Sequence, residues 1–167
     1  MNQTFSLPLA LSLLLCCAVT AAAQTPAPSA ADKAAHAKIV QLLEGSGHAY
    51  TKAKDGVWVV PFKGNNLAEI SVITLYAENM LIFVATAASK TEVKLTPELL
   101  QKLLTLNDAL DRVKVGIDKS DGDIFVRIDL SLRIVDAQEF KANLEQISAA
   151  VDETYAALKP FLLKPAK

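Results

Sequence analysis

Hydrophobic residues make up 51% of the 167-residue chain, enough for one domain with a real core. Seventeen Lys and Arg against eighteen Asp and Glu give a formal net charge of −1. That balance excludes a general attraction to nucleic acid or to an anionic membrane surface.

Residues 1–23 contain no Asp, Glu, Lys or Arg and run through Leu7, Leu9, Leu11, Leu13, Leu14, Leu15 and Val19 into Ala21-Ala22-Ala23. This is the layout of a secretory signal peptide, with Ala21 and Ala23 in the small-x-small positions of a cleavage site after Ala23. Pro8, Ser12 and Thr20 break up a run already short of the about 20 apolar residues of a spanning helix, and an uncleaved anchor is the alternative. Cleavage implies a periplasmic or secreted protein with no membrane attachment afterwards. Cys16 and Cys17 both fall in this segment, so the exported domain must hold together without a disulfide. Residues 24–31 (QTPAPSAA) are rich in Pro, Ala and Ser and read as a flexible linker. One α+β domain is expected over 32–163, with a short tail over 164–167.

Asp32 reads as the N-cap of a first helix over 33–44 that Gly45 ends, with Ala35, Ile39 and Leu42 on its apolar face. Strand signals follow at 48–54 and, after the Asp55-Gly56 turn, at 57–62. Pro61 has no N–H to donate, so the second strand should lie at a sheet edge there. Gly64-Asn65-Asn66 turns the chain into a strand over 69–77, and Glu78-Asn79 turns it into another over 80–87. Thr96-Pro97 starts a helix reaching about residue 109, with Leu99, Leu103, Leu106 and Leu110 as its stripe and Leu100 and Leu104 broadening it. Val113, Val115 and Ile117 alternate with polar residues or glycine. Ile124, Val126, Ile128, Leu130 and Leu132 then alternate with polar residues in the clearest strand of the chain. Asp136 with Glu139 forms an Asp-led capping box. The last helix carries Phe140, Leu144, Ile147, Val151, Tyr155, Leu158 and Leu162 opposite Lys141, Glu145, Asp152 and Lys159. Pro160 should end it. The order is α-β-β-β-β-α-β-β-α, an α+β fold with an antiparallel sheet and helices.

The two sequential hairpins differ in pattern. The late strand is polar on one face, as a solvated sheet requires. In 69–77, by contrast, Ile70, Val72, Thr74 and Tyr76 point one way while Ile73, Leu75 and Ala77 point the other. In 80–87, Leu81 and Phe83 oppose Met80, Ile82 and Val84. One face can pack against a helix; the other needs a further helix, a partner subunit or a ligand. The candidate interaction surface is Trp58, Phe62, Val72, Ile73, Tyr76, Ile82 and Phe83. For Trp58 and Phe62, core packing is the alternative.

The run Leu103-Leu104-Thr105-Leu106-Asn107, the strand 113–118, the Asp-Gly turn with 124–130, and the long amphipathic helix together resemble the YbjN-like family. That family shares the class I type III secretion chaperone fold. The resemblance covers roughly 34–163. It implies an α+β domain that often dimerises and binds other polypeptides, with no catalytic residues to carry over. The export signal departs from secretion chaperones, which act in the cytoplasm.

No catalytic or metal-binding constellation emerges. Glu44-Gly45-Ser46-Gly47-His48 holds an acid, a hydroxyl and an imidazole, but a nucleophile elbow runs from strand to helix and this segment runs from helix to strand. His36 and His48 are the only histidines, and His36 reads as a surface residue. The stretch 118–123 lacks the Gly and terminal acid of a calcium loop and reads as a turn. No cofactor, metal or enzymatic activity is expected. Two function classes remain: an exported protein-interaction module working as a homodimer with an unidentified protein partner, and a carrier of a small apolar ligand held between the early hairpin and the Leu-rich helix. Hydrolysis is a distant third.

Overall fold

The computed structural model describes residues 29–163. The expected signal segment, residues 24–28 of the expected linker and the expected tail lie outside the described residues. Helix α1 spans Ala30–Ser46, two residues into the expected linker. Its cap is Ser29 and not Asp32: the Ser29 hydroxyl accepts the Asp32 N–H at 3.1 Å, and the Asp32 carboxylate accepts the Ser29 N–H at 2.9 Å. This reciprocal capping box starts the helix three residues earlier than expected. At the other end Gly47, with φ +76°, stops the helix, so Gly45 is an interior residue.

Six antiparallel strands follow in the spatial order β1-β2-β3-β4-β6-β5: β1 Thr51–Lys54, β2 Val57–Phe62, β3 Ile70–Ala77, β4 Met80–Ala88, β5 Lys114–Ile117 and β6 Ile124–Ser131. Strand β1 is shorter than expected, because 48–50 form no ladder. It stops opposite Val59, which leaves β2 at the sheet edge where Pro61 sits. Glu78 and Asn79 both have positive φ (52° and 63°), the backbone that closes a two-residue hairpin between β3 and β4. Helix α2 spans Pro97–Ala109, capped by Thr96, and α3 spans Ala137–Leu158, followed by a 3-10 turn at Lys159–Phe161 where Pro160 intervenes.

The register sorts the side chains by face. Trp58, Thr74, Phe83 and Ile128 form one cross-strand row, all buried. Helix α3 lies over this row, with Phe140 edge-on to Phe83 at 5.2 Å between ring centres. Helix α1 lies over the β2–β3 end, where His36 meets Trp58 at 5.7 Å and Tyr76 at 6.4 Å, both edge-on. His36 is therefore a half-buried packing residue and not the surface residue its alanine-rich surroundings suggested. Leu99, Leu103 and Leu106 of α2 join the same core. Leu100 and Leu104 do not: they are 46% and 71% exposed, so the stripe of α2 is narrower than the sequence implied.

At the start of α3 the Asp136 carboxylate accepts the Glu139 N–H at 2.8 Å, but Glu139 turns away to Arg112 at 2.7 Å, so only half of the expected capping box forms. Asp152, which helical spacing put opposite the apolar stripe, is instead buried at 9% exposure. Its carboxylate accepts the N–H groups of Asn65, Asn66 and Leu67 at 3.1, 2.7 and 2.8 Å and the Asn66 amide at 3.0 Å. Burial pushes its pKa up, but these four donors outweigh burial and hold it below the ordinary carboxylate value. Gly64 permits the approach, since a Cβ there would collide with the carboxylate.

Candidate protein-interaction face

The sheet has a second face, and its side chains stand outside the core. Val59, Ile73 and Val84 lie side by side across β2, β3 and β4, and the row continues into Arg127 and Lys114. The adjacent row is Val57, Leu75, Ile82 and Asp129. Val57, Val59, Ile73, Leu75 and Val84 are half-buried. Ile82, in the middle, reaches 6% exposure without joining the core. No helix among the described residues packs on this face.

Charge closes one side of the apolar strip. Asp129 accepts from Lys114 Nζ at 2.7 Å and from Arg127 Nε at 2.5 Å. Burial raises its pKa, and the two cations more than reverse that, leaving it lowered. Nearby, Ile73, Val84, Thr86 and Phe125 floor a groove of about 230 Å³ rimmed by Asp118, Asp121, Asp123 and Arg127. The Phe125 ring lies across Gly116, its partner on β5, where a Cβ would stand 2.8 Å from the ring. The acidic rim is a turn, as its sequence suggested: Asp118 Oδ1 accepts the Ser120 N–H at 2.8 Å, and the Gly122 N–H returns to Asp118 O at 2.8 Å.

The seven residues of the expected interaction surface divide between the two faces. Ile73 and Ile82 belong to the open face. Trp58, Val72 and Phe83 do not: at 2%, 0% and 0% exposure they are core, because α1 and α3 cover their side of the sheet. Phe62 and Tyr76 are half-buried against that core, Phe62 beside the His48 ring at 4.9 Å. The alternation had a signal for Leu75, Val84 and Phe125 as well, since each shares the parity of Ile73 or Ile82 across the register.

The remaining clusters are structural. The Ser46 hydroxyl donates to Leu43 O at 2.7 Å and accepts the His48 N–H at 3.2 Å, while the His48 ring faces Glu145 at 3.6 Å. Among the described residues no three His, Cys, Asp or Glu side chains converge as metal ligands. No helix among them is long and apolar enough to cross a membrane.

The family model of YbjN, described as "Putative bacterial sensory transduction regulator", matches residues 36–160. The chain belongs to the YbjN family. The structure superposes on crystalline YbjN from E. coli with a TM-score of 0.56 at 22% identity, covering 77% of this chain and 95% of that one. It superposes on the ExsC–ExsE complex with a TM-score of 0.54 at 10% identity, covering 75% and 93%. At these identities the YbjN likeness is one of fold, and the expected secretion-chaperone-like α+β architecture is the one this chain has. The ExoU–SpcU complex of the Pseudomonas aeruginosa type III secretion system scores 0.49 at 18% identity, over 75% and 98% of the chains. No curated protein is significantly similar in sequence.

Proposed function

We propose that this YbjN-family chain is an exported, non-enzymatic protein-interaction module that pairs with a second copy of itself through the open sheet face. The observation that carries the reading is the strip Val59, Ile73, Leu75, Ile82 and Val84, which is apolar and has no covering helix among the described residues. A contiguous patch of this kind on a folded domain marks an interaction site. The polar edge formed by Asp129, Arg127 and Lys114 supplies the rim that such interfaces carry. ExsC, which shares the fold, is found in complex with ExsE. The charge-free apolar segment ending in Ala21-Ala22-Ala23 supports export, with the protein reaching the periplasm or the exterior.

Ile73→Asp tests the reading. It places a charge in the middle of the strip while leaving the core untouched. Light scattering of the wild-type chain at micromolar concentration should give twice the chain mass, and the variant should give the chain mass with an unchanged circular dichroism spectrum. A wild-type protein that is already monomeric rules out self-association. No observation favours the apolar-ligand carrier, because Leu99, Leu103 and Leu106, which would have lined its cavity, are packed into the common core. Intact-mass measurement of the exported protein tests the cleavage site; a species retaining residues 1–23 restores the anchor.

A further inference from the structure

On the helix-covered side of the sheet, away from the strip just described, α1 faces the β3–β4 turn and the end of β6. A pocket of about 470 Å³ opens there. Its walls are Ala34, Ala35 and Lys38 of α1, Tyr76 and Asn79 at the hairpin turn, and Ser131, Leu132 and Arg133 at the end of β6.

The formal charge on these walls is one-sided: Lys38 and Arg133 with no acid among the lining residues. Lys38 Nζ donates to Leu132 O at 2.6 Å, which fixes the ammonium at the pocket and uses one of its three N–H groups. The Tyr76 hydroxyl donates to Asn79 Oδ1 at 3.2 Å. That contact orients the amide and leaves Asn79 Nδ2 without a hydrogen-bond partner among the described residues. Neither Lys38 nor Arg133 has an acidic partner among the described residues, whereas Lys52, Lys114, Arg112 and Arg127 all do. Acids near in sequence are engaged or displaced. Asp32 is committed to the Ser29 cap, and Glu78 is exposed on the turn and absent from the pocket wall. The pocket wall therefore carries two cations and an amide N–H₂ and no carboxylate.

We propose that this pocket binds a small oxyanion, the phosphate or carboxylate group of a low-molecular-weight ligand. Arg133 supplies the planar fork that pairs with two oxygens, and Lys38 supplies a compact charge already held in place. Asn79, held with positive φ by the hairpin turn, completes the donor set. The ligand completes the pairing of charges that the fold leaves unpaired.

The test is a backbone-amide NMR titration of the purified full chain at constant ionic strength, with sodium phosphate and, separately, sodium succinate. Saturable shifts confined to residues around Lys38, Asn79, Ser131 and Arg133 are expected with at least one anion, with half-saturation at or below about 1 mM. The anion that saturates at lower concentration identifies the ligand group as phosphate or carboxylate. Arg133→Gln sits on an exposed side chain and leaves the fold intact; it should weaken binding by about tenfold or more. Lys38→Met should do the same. Ile73→Asp, on the opposite face, should leave binding unchanged, so this proposal and self-association fail independently. Shifts that rise without saturation and scatter over all basic residues overturn the proposal, as does saturable binding that survives Arg133→Gln.

Discussion

The two faces of the β3–β4 hairpin are made from the same residue types, yet one is the centre of the core and the other lies open. On the covered face, Val72 and Phe83 have lost all contact with solvent beneath α3. On the open face, Ile73 and Val84 are half-buried. Period-2 alternation distributes side chains equally to both sides, so composition cannot distinguish the faces. The difference comes from the helices. The long apolar stripe of α3 and the shorter one of α1 suffice for one face of a six-stranded sheet, and α2 settles beside β5 at its end.

Substitutions at adjacent positions should separate the faces most strongly. Val72→Asp puts an unpaired carboxylate into a fully buried site and is expected to cost more than about 4 kcal/mol, leaving the chain unfolded by circular dichroism. Its neighbour Ile73→Asp should keep the native spectrum. If both variants unfold, the open face is covered in the monomer.

Truncation sharpens the same contrast. Phe83→Ala removes a ring packed on Phe140 and should cost about 3–5 kcal/mol in denaturant unfolding. Val84→Ala, one residue away on the open face, should cost about 1 kcal/mol or less in the monomer, with any larger effect appearing as a dependence on protein concentration.

Asp152→Ala provides a control that lowers stability without touching either face. It strands three loop N–H groups and should cost about 2–3 kcal/mol, with the oligomeric state unchanged wherever the chain remains folded. The folded pKa of Asp152 is depressed, so its contribution is present above the unfolded carboxylate pKa and is lost as pH falls through the folded value. The stability gap between wild type and Asp152→Ala should be constant near neutrality and narrow below about pH 4. Urea midpoints measured across that range would show it. The smallest effect belongs to Leu104→Ser, which is expected to change stability by no more than about 0.5 kcal/mol despite removing a leucine from a helix.

Local signals carried much of the fold. Thr96-Pro97, the Asp-Gly turns, the alternation of β6 and the 4-3 spacing of α3 each name an element, because each depends on residues within a few positions of one another. What the sequence did not disclose depends on distant partners. Trp58, Val72 and Phe83 were counted with the interaction surface because alternation reports two faces without saying which one a helix covers. Asp152 looked like a solvent-facing acid; the clue lay in the Gly64-Asn65-Asn66 loop, whose bare N–H groups require an acceptor from elsewhere. The Lys38 pocket draws its walls from three separated segments, and neither cation carries a motif. Helix α1 was misplaced for a simpler reason: Ser29-x-x-Asp32 is a capping box inside a segment whose prolines and alanines read as a linker.

The clasp between Asp152 and residues 65–67 also orders events in time. Its two halves lie 85–87 residues apart in sequence, and Leu162 bridges to Val93 in the same C-terminal region. A ribosome delivers the loop long before the carboxylate that secures it. The early strands must therefore wait for the final helix before the native arrangement can close, and contacts this distant slow that closure. For a chain that we propose to be exported, such delay is useful. The polypeptide can pass a membrane pore extended, and fold only when its last residues have followed.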